Sequence, residues 1–406
     1  MHYCAGRQPI IRSQTRGFTV WGGGNQMTII PFTDLSAMAA EVWPSVETSY
    51  LTCIHRANYI GGVHVADFER EWAAYCGVGH AVGVANGTDA LELTLAALGI
   101  GQGDEVIVPA NTFIATAAAV VRAGAVPRFA DVSDETLLMT PETLSEAITP
   151  RTRAVMVVHL YGQVPDMDEL LAVAHDAGIF VIEDAAQAHG AQWAGQRAGS
   201  FGVAACFSFY PGKNLGAFGD AGAVVTAEPE LADRVRTLAN HGRSHGSSHY
   251  EHEFVGRNSR LDALSAIALQ GKLARLEAWT ERRIELAARY RGRLDGTNVR
   301  LVGVGPLARH VYHLFIVRIP ERDRVRAELG RQGIQTGIHY PVPCHLQPPL
   351  ARFATRQLPV AEQAARELLS LPIFPHMADD QVDLVCDELV SALAAASSGE
   401  ELTGVH

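Results

Sequence analysis

Short apolar runs alternate with helix-like segments through the first half of the chain. The runs span residues 81–85, 105–108, 126–129, 154–158, 179–182, 204–209 and 222–226. Ala- and Leu-rich segments lie between several of them, at 89–98, 114–123 and 168–177, and an amphipathic pattern at 67–75 precedes the first run. Strand, crossover and strand at this spacing are typical of a doubly wound, largely parallel sheet. The chain is therefore predicted to be α/β, with ligands bound at the carboxyl ends of its strands.

The pattern of apolar positions changes after residue 260. It predicts a long helix from Leu261 to about Leu294, then a strand at 311–319, a helix at 322–332, a Pro-rich turn at 341–349 and helices near 361–370 and 379–395. We interpret this part as a smaller α+β domain that the long helix joins to the first domain. The predicted division is a large domain at 27–290, which includes an N-terminal arm, and a small C-terminal domain at 291–406. Residues 1–26 lack the apolar core of a secretory signal and are predicted to be a disordered extension.

Composition narrows the possible partners and the location of the protein. The 406 residues are 48% apolar and carry a formal net charge of −11. No basic run is dense enough to contact a phosphate backbone, so nucleic acid is not an expected partner. The six cysteines form no Cys-x-x-Cys pair, which disfavours a disulfide framework or a zinc or iron–sulfur site and predicts a cytoplasmic location. No apolar stretch is long enough to span a membrane.

Lys213 is the first candidate for a chemical role. It lies in a Gly-rich loop after the run at 204–209, and it is one of only two lysines among the 33 Lys and Arg residues, the other being Lys272. A lysine amine can lose its proton and condense with a carbonyl group, whereas arginine stays charged. The alternative interpretation is an exposed loop lysine without a role. The residue alone does not decide between the two.

The segment Asn86-Gly87-Thr88-Asp89 follows the first predicted strand and begins a helix. A glycine turn at the start of a helix exposes backbone N–H groups that can hold a phosphate. The same residues are also compatible with a plain helix cap. The spacing differs from that of a Walker motif, so a nucleoside triphosphatase is disfavoured.

Two further candidates follow predicted strands. Asp184 comes after the run at 179–182 and 29 residues before Lys213, and Phe113 lies just beyond the run at 105–108. In isolation, Asp184 is interpreted as a helix cap and Phe113 as a core residue. Pyridoxal phosphate requires a lysine, a carboxylate for its pyridinium nitrogen and a phosphate-binding turn. The sequence offers all three, and Ser208 is added as a further phosphate contact. The predicted cofactor is therefore pyridoxal 5′-phosphate, and no metal is expected.

The motifs also resemble a known family. In order along the chain they are 87–91, 109–117, 158–163, 183–190, 207–214, 240–242, 258–262, 310–314 and 339–341. Over roughly residues 30–390 the chain resembles the DegT/DnrJ/EryC1/StrS family of pyridoxal phosphate-dependent sugar aminotransferases. This resemblance implies a fold type I enzyme, similar to aspartate aminotransferase, that forms a homodimer with active sites built from both subunits.

The resemblance also assigns roles to individual residues. Lys213 matches the lysine that forms the Schiff base, Asp184 the partner of the pyridine nitrogen, Gln187 the contact to the ring hydroxyl and Phe113 the stacking ring. The remaining matches are the phosphate ligands Gly87, Thr88 and Ser208, the phosphate contact Asn258 from the partner subunit, and the sugar-nucleotide contacts Tyr210, His339 and Tyr340.

The implied reaction is the transfer of an amino group from L-glutamate or L-glutamine to a nucleotide-linked keto-deoxysugar, in the biosynthesis of deoxyaminosugars such as those of antibiotics. Lys213 argues against the branch of the family that carries His there and performs dehydration. The motif around Gln187 resembles members that act on dTDP-3-keto-6-deoxyhexoses. Alternatives are a 4-keto sugar nucleotide, a keto-cyclitol, or a non-catalytic regulatory protein of the same fold.

Two positions depart from the family pattern and leave the sugar specificity open. His249 and Ser265 stand where Lys and Gln are expected. His245, His249 and His252 form a His-rich segment, which we interpret as a solvated loop and not as a metal site.

Overall fold

The computed structural model describes residues 29–243 and 250–397, without the side chains of residues 396 and 397. The predicted extension at 1–26 lies outside the described residues, as do His245 and His249. Within the described ranges, no helix is long and apolar enough to cross a membrane.

The elements alternate as the sequence predicts. The strands are β1 (His80–Val84), β2 (Glu105–Pro109), β3 (Val126–Ala130), β4 (Thr152–Val158), β5 (Phe180–Asp184), β6 (Gln192–Trp193), β7 (Gln196–Arg197), β8 (Ala204–Ser208), β9 (Gly222–Thr226), β10 (Arg300–Leu301), β11 (Ala308–Arg309), β12 (Phe315–Arg318) and β13 (Leu368–Leu371). The α-helices are α1 (Leu35–Arg56), α2 (Val63–Cys76), α3 (Gly87–Ala97), α4 (Ile114–Arg122), α5 (Pro141–Ser145), α6 (Met167–Asp176), α7 (Pro229–Ala239), α8 (Ala263–Leu273), α9 (Leu276–Leu294), α10 (Arg322–Arg331), α11 (Pro359–Glu367) and α12 (Asp379–Ser397).

A seven-stranded sheet in the order β1-β9-β8-β5-β4-β2-β3 forms the centre of the large domain. Every neighbouring pair is parallel except the two pairs that β9 makes, with β1 and with β8. The prediction of a largely parallel sheet is therefore confirmed. Because six strands run in the same direction, their carboxyl ends lie at one edge of the sheet.

The two faces of this sheet are covered by different sets of helices. Along β2, Val106 and Val108 pack into a core with α3, α4 and α7, whereas Ile107 points into the opposite core with α2, α6 and α8. Side chains alternate between the faces of a strand, so a run that is apolar at every position predicts burial on both sides. This explains why the apolar runs locate the central strands well.

A separate core lies in the C-terminal part. It contains residues of β12, β13, α9, α10 and α12, and also Ile30, which pairs with Ile334. The side chains that α9 contributes begin at Leu286, before the predicted boundary at residue 290. The division of the chain at that boundary stays a prediction.

The single long helix predicted at 261–294 is wrong. The structure has two helices, α8 and α9, with a break at Ala274 and Arg275. No Gly or Pro marks the break, so helix propensity gives no signal for it. The second helix leaves the core of the large domain at Leu276 and reaches the C-terminal core at Leu286.

Two further predictions in the C-terminal part are wrong in their bounds. The helix predicted near 361–370 ends at Glu367, and residues 368–371 form β13, which pairs with β12. The strand predicted at 311–319 is only Phe315–Arg318. Ahead of it, the amides of Val311 and Leu314 donate to the carbonyls of Gly162 and Tyr161 and so belong to the active-site region. Helices α1 and α7 lie where the sequence analysis predicts no element.

Candidate active site

A cavity of about 390 Å³ lies at the carboxyl ends of the parallel strands. Ten of the eleven predicted site residues line it: Gly87, Thr88, Phe113, Asp184, Gln187, Ser208, Tyr210, Lys213, His339 and Tyr340. The strands end on one side of the sheet, so residues separated by more than 250 positions in the sequence meet there. The structure brings these residues together; the individual role of each remains a prediction.

The N-terminus of α3 forms one end of the cavity. The side chain of Asn86 caps this helix by accepting a hydrogen bond from the amide of Asp89 at 2.8 Å. The cap leaves the amides of Gly87 and Thr88 without an intrahelical partner, because the first N–H groups of a helix have none. Capping and anion binding, the two interpretations of this segment, are thus compatible here.

Gly87 packs directly against Ser208 across this end of the cavity. A Cβ atom on Gly87 would lie 2.7 Å from the Cβ of Ser208, closer than side chains tolerate. The φ angle of Gly87 is not in the left-handed region, so the backbone itself would accept a side chain. The glycine is required here for space.

We expect Gly87→Ala to weaken the binding of pyridoxal phosphate, the expected cofactor, by roughly 5- to 100-fold. Overpacking of this kind typically costs about 1–3 kcal/mol. Absorbance titration of the apo-protein with the cofactor measures the effect. Gly219→Ala is the matched control, because a Cβ there meets nothing within 4 Å. Equal affinities of the two variants would contradict a tight phosphate site at Gly87.

Asp184 lies at the end of β5 and is 5% exposed. Its Oδ2 accepts a hydrogen bond from Thr116 Oγ1 at 2.7 Å, and its Oδ1 accepts one from the amide of Ala186 at 3.2 Å. Burial raises the pKa of Asp184 above its ordinary value, and these two hydrogen bonds oppose the shift. A cationic N–H group bound beside this carboxylate would stabilise its charged form. The surroundings of Asp184 therefore suit a protonated ring nitrogen.

The neighbouring acid, Glu183, has a different environment on the opposite face of β5. Its two oxygens accept hydrogen bonds from the amides of Gly199, Phe201 and Gly202 at 2.7–2.9 Å, and Oε2 also contacts His159 Nε2 at 2.8 Å. The carboxylate of Glu183 is fully occupied in holding a loop. Of the two acids in the motif, Asp184 is the one that faces the cavity.

Lys213 lies in the loop between β8 and β9. Among the described residues, its Nζ has no hydrogen-bond partner, and burial lowers the pKa of Lys213 to about 8 although the nearby Asp184 opposes this shift. A larger fraction of the amine is thus neutral near pH 7 than for a lysine in water. Lys213 is not exposed, so the alternative of an exposed loop lysine is wrong, while its reaction with a carbonyl stays a prediction.

The charge of Lys213 affects the pKa values of three histidines, of which His339 lines the same cavity. Burial lowers the pKa of His189 to about 3 and that of His339 to about 4, and it places the pKa of His313 well below its ordinary value. In each case the charge of Lys213 contributes to the shift. All three imidazoles are neutral at pH 7, so Lys213 is the cation of this group.

A hydrogen-bonded chain of polar groups forms another wall of the cavity. Gln187 Oε1 accepts from the amide of Tyr161 at 2.6 Å, and Gln187 Nε2 donates to the hydroxyl of Tyr340 at 3.1 Å. The ring of Tyr340 lies 5.6 Å from that of Phe113, at 40°. Phe113 is 52% exposed, so its interpretation as a core residue is wrong and its ring is available to a ligand.

His339 and Tyr210 also line the cavity. The Nδ1 of His339 is 2.8 Å from Ser370 Oγ, and its ring stacks on that of Phe32 at 5.8 Å and 20°. Tyr210 is 57% exposed. The role of both residues in binding a substrate stays a prediction.

Asn258 is the one predicted site residue outside the cavity. It is exposed and pairs with Asn240 through an isolated bridge. A role in the site of a partner subunit stays a prediction. Ser265 lies in the first turn of α8, where it hydrogen-bonds to Asp262, and does not line the cavity.

The sequence analysis misses several residues that support the site. Thr116 fixes the carboxylate of Asp184, and Thr112 Oγ1 in turn lies 2.9 Å from Thr116 Oγ1. Tyr161 orients Gln187 through its amide and donates from its hydroxyl to the carbonyl of His339 at 2.8 Å. Both threonines and Tyr161 lie within the matched motifs, so their position is a signal, but only the structure shows their contacts.

The residues present fit pyridoxal phosphate. One cavity brings together four features that the functional groups of this cofactor require. They are the helix end at Gly87, the buried carboxylate of Asp184, the amine of Lys213 with its lowered pKa, and the exposed ring of Phe113. Among the described residues, no three or more His, Cys, Asp or Glu side chains are grouped so that they could hold a metal ion.

Known proteins match almost the whole chain. A sequence model of the DegT/DnrJ/EryC1/StrS aminotransferase family matches residues 47–390. The dTDP-3-amino-3,4,6-trideoxy-α-D-glucose transaminase of Streptomyces venezuelae is 47% identical over 361 residues, which are 88% of this chain and 94% of that protein.

Solved structures agree with this match. The crystal structure of S. venezuelae DesV has 46% identity and a TM-score of 0.86, and the match covers 89% of this chain and 98% of that one. NtdA of Bacillus subtilis, solved with bound cofactor PMP, has 30% identity and a TM-score of 0.84, with 92% of this chain and 87% of that one covered.

PMP is pyridoxal phosphate after it has accepted an amino group, so the predicted cofactor is confirmed together with the predicted fold type. The match exceeds four fifths of the chain and includes all the residues that line the cavity. The chain belongs to the DegT/DnrJ/EryC1/StrS aminotransferase family.

Proposed function

We propose that the protein transfers an amino group from L-glutamate or L-glutamine to the carbonyl carbon of a dTDP-linked 3-keto-6-deoxyhexose. One observation carries the proposal: Lys213 and Asp184 converge with the N-terminus of α3 on one cavity. An amine, a carboxylate and an anion site in one cavity are the parts that an aminotransferase needs.

The cofactor and the residues divide the chemistry between them. When bound, pyridoxal phosphate supplies a carbonyl that condenses with amines and a ring that withdraws electrons from the adjacent carbon. Asp184 would hold the protonated ring nitrogen, Gln187 the ring hydroxyl, and Gly87, Thr88 and Ser208 the phosphate. These contacts fix the orientation of the ring.

Lys213 has two tasks in this proposal. Its amine would hold the cofactor through the cofactor carbonyl, and Nζ, when free, would accept and return the proton of the substrate carbon. A group that transfers protons works best with a pKa near the operating pH, and a pKa of about 8 meets this condition. His339, which lines the same cavity, does not compete for that proton, because burial lowers its pKa to about 4.

The choice of substrate rests on the relatives and on the motif around Gln187. The Streptomyces venezuelae transaminase that is 47% identical to this chain is named for a dTDP-linked 3-amino sugar. A 4-keto sugar nucleotide or a keto-cyclitol are the alternative acceptors.

We further propose that the protein acts as a homodimer in the cytoplasm. Asn258 is exposed and does not line the active-site cavity of its own chain, as expected for a residue that completes the partner's site. Large exposed apolar side chains provide material for an interface: Trp43, Ile54, Tyr59, Ile60, Val63, Phe218, Phe254 and Val255. A monomeric mass by light scattering at assay concentration would overturn the dimer.

The proposed reaction is tested by offering three acceptors side by side to the holoenzyme with L-glutamate, and separately with L-glutamine. The acceptors are a dTDP-3-keto-6-deoxyhexose, the 4-keto isomer and a keto-inositol. We expect the amino product from the 3-keto sugar, with kcat/KM at least about tenfold above either alternative. Preference for another acceptor would replace the assigned sugar, and no amination of any acceptor would overturn the proposal.

A further inference from the structure

Residues 310–314 form one of the matched motifs, but none of the predicted site residues lies among them and none of them lines the active-site cavity. They come directly before β12. The amide of Val311 donates to the carbonyl of Gly162 at 2.9 Å, and that of Leu314 donates to the carbonyl of Tyr161 at 3.2 Å. The segment is thus attached to the wall of the site that carries Tyr161.

The opposite side of this segment is held by a buried arginine of α9. Arg283 is 2% exposed and donates to the carbonyl of Tyr312 at 3.2 Å and to that of Ile373 at 2.8 Å. A Cβ atom on Gly162 would lie 2.8 Å from Cγ2 of Val311, so the packing leaves no space between these two residues. Residues 310–314 can therefore serve as a fixed support for a neighbouring element.

That neighbour is Asn214, which follows Lys213 in the chain and is 2% exposed. Its Nδ2 donates to the carbonyl of Val311 at 3.0 Å, and its Oδ1 lies 3.3 Å from Nδ1 of His313. A carbonyl oxygen can only accept, so Val311 fixes the orientation of the amide. Oδ1 of Asn214 is the atom that faces His313.

The protonation of His313 suits this contact. Burial, together with the charges of Lys213 and Arg283, holds the pKa of His313 well below its ordinary value. A neutral imidazole carries one N–H, and Oδ1 of Asn214 requires a donor, so that N–H lies on Nδ1. Both polar atoms of the Asn214 side chain are thus occupied by residues 311–313.

The loop at residues 209–221 needs an anchor of this kind. It carries Lys213 among three glycines, whose backbones have access to many conformations. The amide of Lys213 donates to the carbonyl of Tyr210 at 2.9 Å, and Lys272 Nζ donates to the carbonyl of Gly216 at 2.6 Å. These bonds close the turn and hold its far end. Asn214 fixes the turn next to Lys213 itself.

The same support also serves Gln187 on the other wall of the cavity. Leu314 bonds to the carbonyl of Tyr161, and the amide of Tyr161 donates to Gln187 Oε1 at 2.6 Å. Lys213 and Gln187, which both line the cavity, are therefore held against one segment.

We propose that Asn214 is a positioning residue for Lys213. By fixing the loop on residues 311–313, with His313 orienting its amide, it determines where the amine of Lys213 stands in the active-site cavity. The inference rests on the proposed function, since it assumes that Lys213 transfers the proton. A misplacement of about 1 Å in such a group can lower the rate about 100-fold.

The first test compares the Lys213 amine in Asn214→Leu and in the wild type, each as full-length apo-protein. Trace acetylation with acetic anhydride over a range of pH, followed by peptide mapping, measures the pKa of this amine, and only two lysines have to be resolved. We expect about 8 in the wild type. In the variant the pKa should rise toward about 10.4, the value of a lysine in water, because a displaced amine is less buried.

The second test measures amination by the holoenzyme. In Asn214→Leu, kcat should fall roughly 10- to 100-fold, while the KM values of donor and acceptor stay within about threefold of the wild type. His313→Leu should change the pKa of Lys213 and kcat in the same directions. His313→Asn should recover most of the activity, because its side-chain amide can donate from nearly the same place as Nδ1.

His345→Leu is the matched control. It removes another buried imidazole, whose Nε2 lies 3.1 Å from Glu362 Oε1 and which does not line the cavity. We expect a lower melting temperature, with the pKa of Lys213 and kcat unchanged.

A wild-type pKa of Lys213 together with a wild-type kcat, in both Asn214→Leu and His313→Leu, would overturn the inference. Equal losses in His313→Leu and His313→Asn would remove the N–H of His313 from it. Failure of the proposed function looks different, because the wild type would then aminate no acceptor. Acetylation of the apo-protein would still show whether Asn214 places the amine.

Discussion

Lys213→Arg is expected to lose the visible absorption band of the bound cofactor and to lower the rate of amino transfer by about 10³-fold or more, roughly 4 kcal/mol in the barrier. Arginine keeps the positive charge and most of the length of lysine, but it cannot lose a proton and bond to a carbonyl. The variant thus separates amine chemistry from charge. The visible spectrum and the rate of amination in the presence of L-glutamate measure both effects.

Lys272 provides the control for this prediction. It is the other lysine of the chain, its Nζ donates to the carbonyl of Gly216 at 2.6 Å, and burial lowers its pKa also to about 8. Lys272→Arg should keep the band and keep amination within about tenfold of the wild type. A Lys213→Arg variant that keeps both band and rate would remove Lys213 from the mechanism.

Asp184→Asn is expected to give the second-largest loss, about 10²- to 10³-fold in amination, or roughly 3–4 kcal/mol. The asparagine has nearly the same shape, but it is neutral and cannot stabilise a protonated ring nitrogen. The hydroxyl of Thr116 can still donate to the amide oxygen, so the fold around residue 184 should persist. Single-turnover amination rates, with a melting curve for each variant, measure this.

Glu183→Gln is the matched control, because it makes the same chemical change one residue earlier on the same strand. Three amides and His159 surround that carboxylate, so we expect a lower melting temperature with an unchanged cofactor spectrum. If the two variants lost activity equally, the division into a structural and a functional acid would be wrong. The loss of amination activity in Thr116→Val should lie between the losses in Glu183→Gln and Asp184→Asn, because this change removes only one hydrogen bond from Asp184.

Much of the large domain could be predicted because its strands are buried on both faces. A run such as 154–158 is apolar at every position, which few other structures require. The site residues follow from the same topology. Asp184 and Ser208 end strands β5 and β8, and Gly87 lies three residues after β1, which runs in the same direction. Position along the chain then implies proximity at the edge of the sheet.

The remaining features depend on contacts that no local pattern encodes. Residues 368–371 form a strand because β12 lies beside them. The break after α8 at Leu273 precedes a helix that passes from the core of the large domain at Leu276 to the C-terminal core at Leu286. Thr116 illustrates the same limit for the site. A threonine is not unusual in its local sequence, and it gains its role from Asp184, which lies 68 positions away in the chain.

The most direct test of the account is to reduce the holoenzyme with borohydride and to locate the retained cofactor by peptide mass mapping, with and without prior addition of L-glutamate or L-glutamine. The chain has only two lysines, so the possible attachment sites are few. The account predicts the cofactor mass on the peptide that contains Lys213, and its disappearance when an amino donor has been added first. Attachment at Lys272, or attachment at Lys213 that neither donor removes, would contradict the assignment of an aminotransferase that works through Lys213.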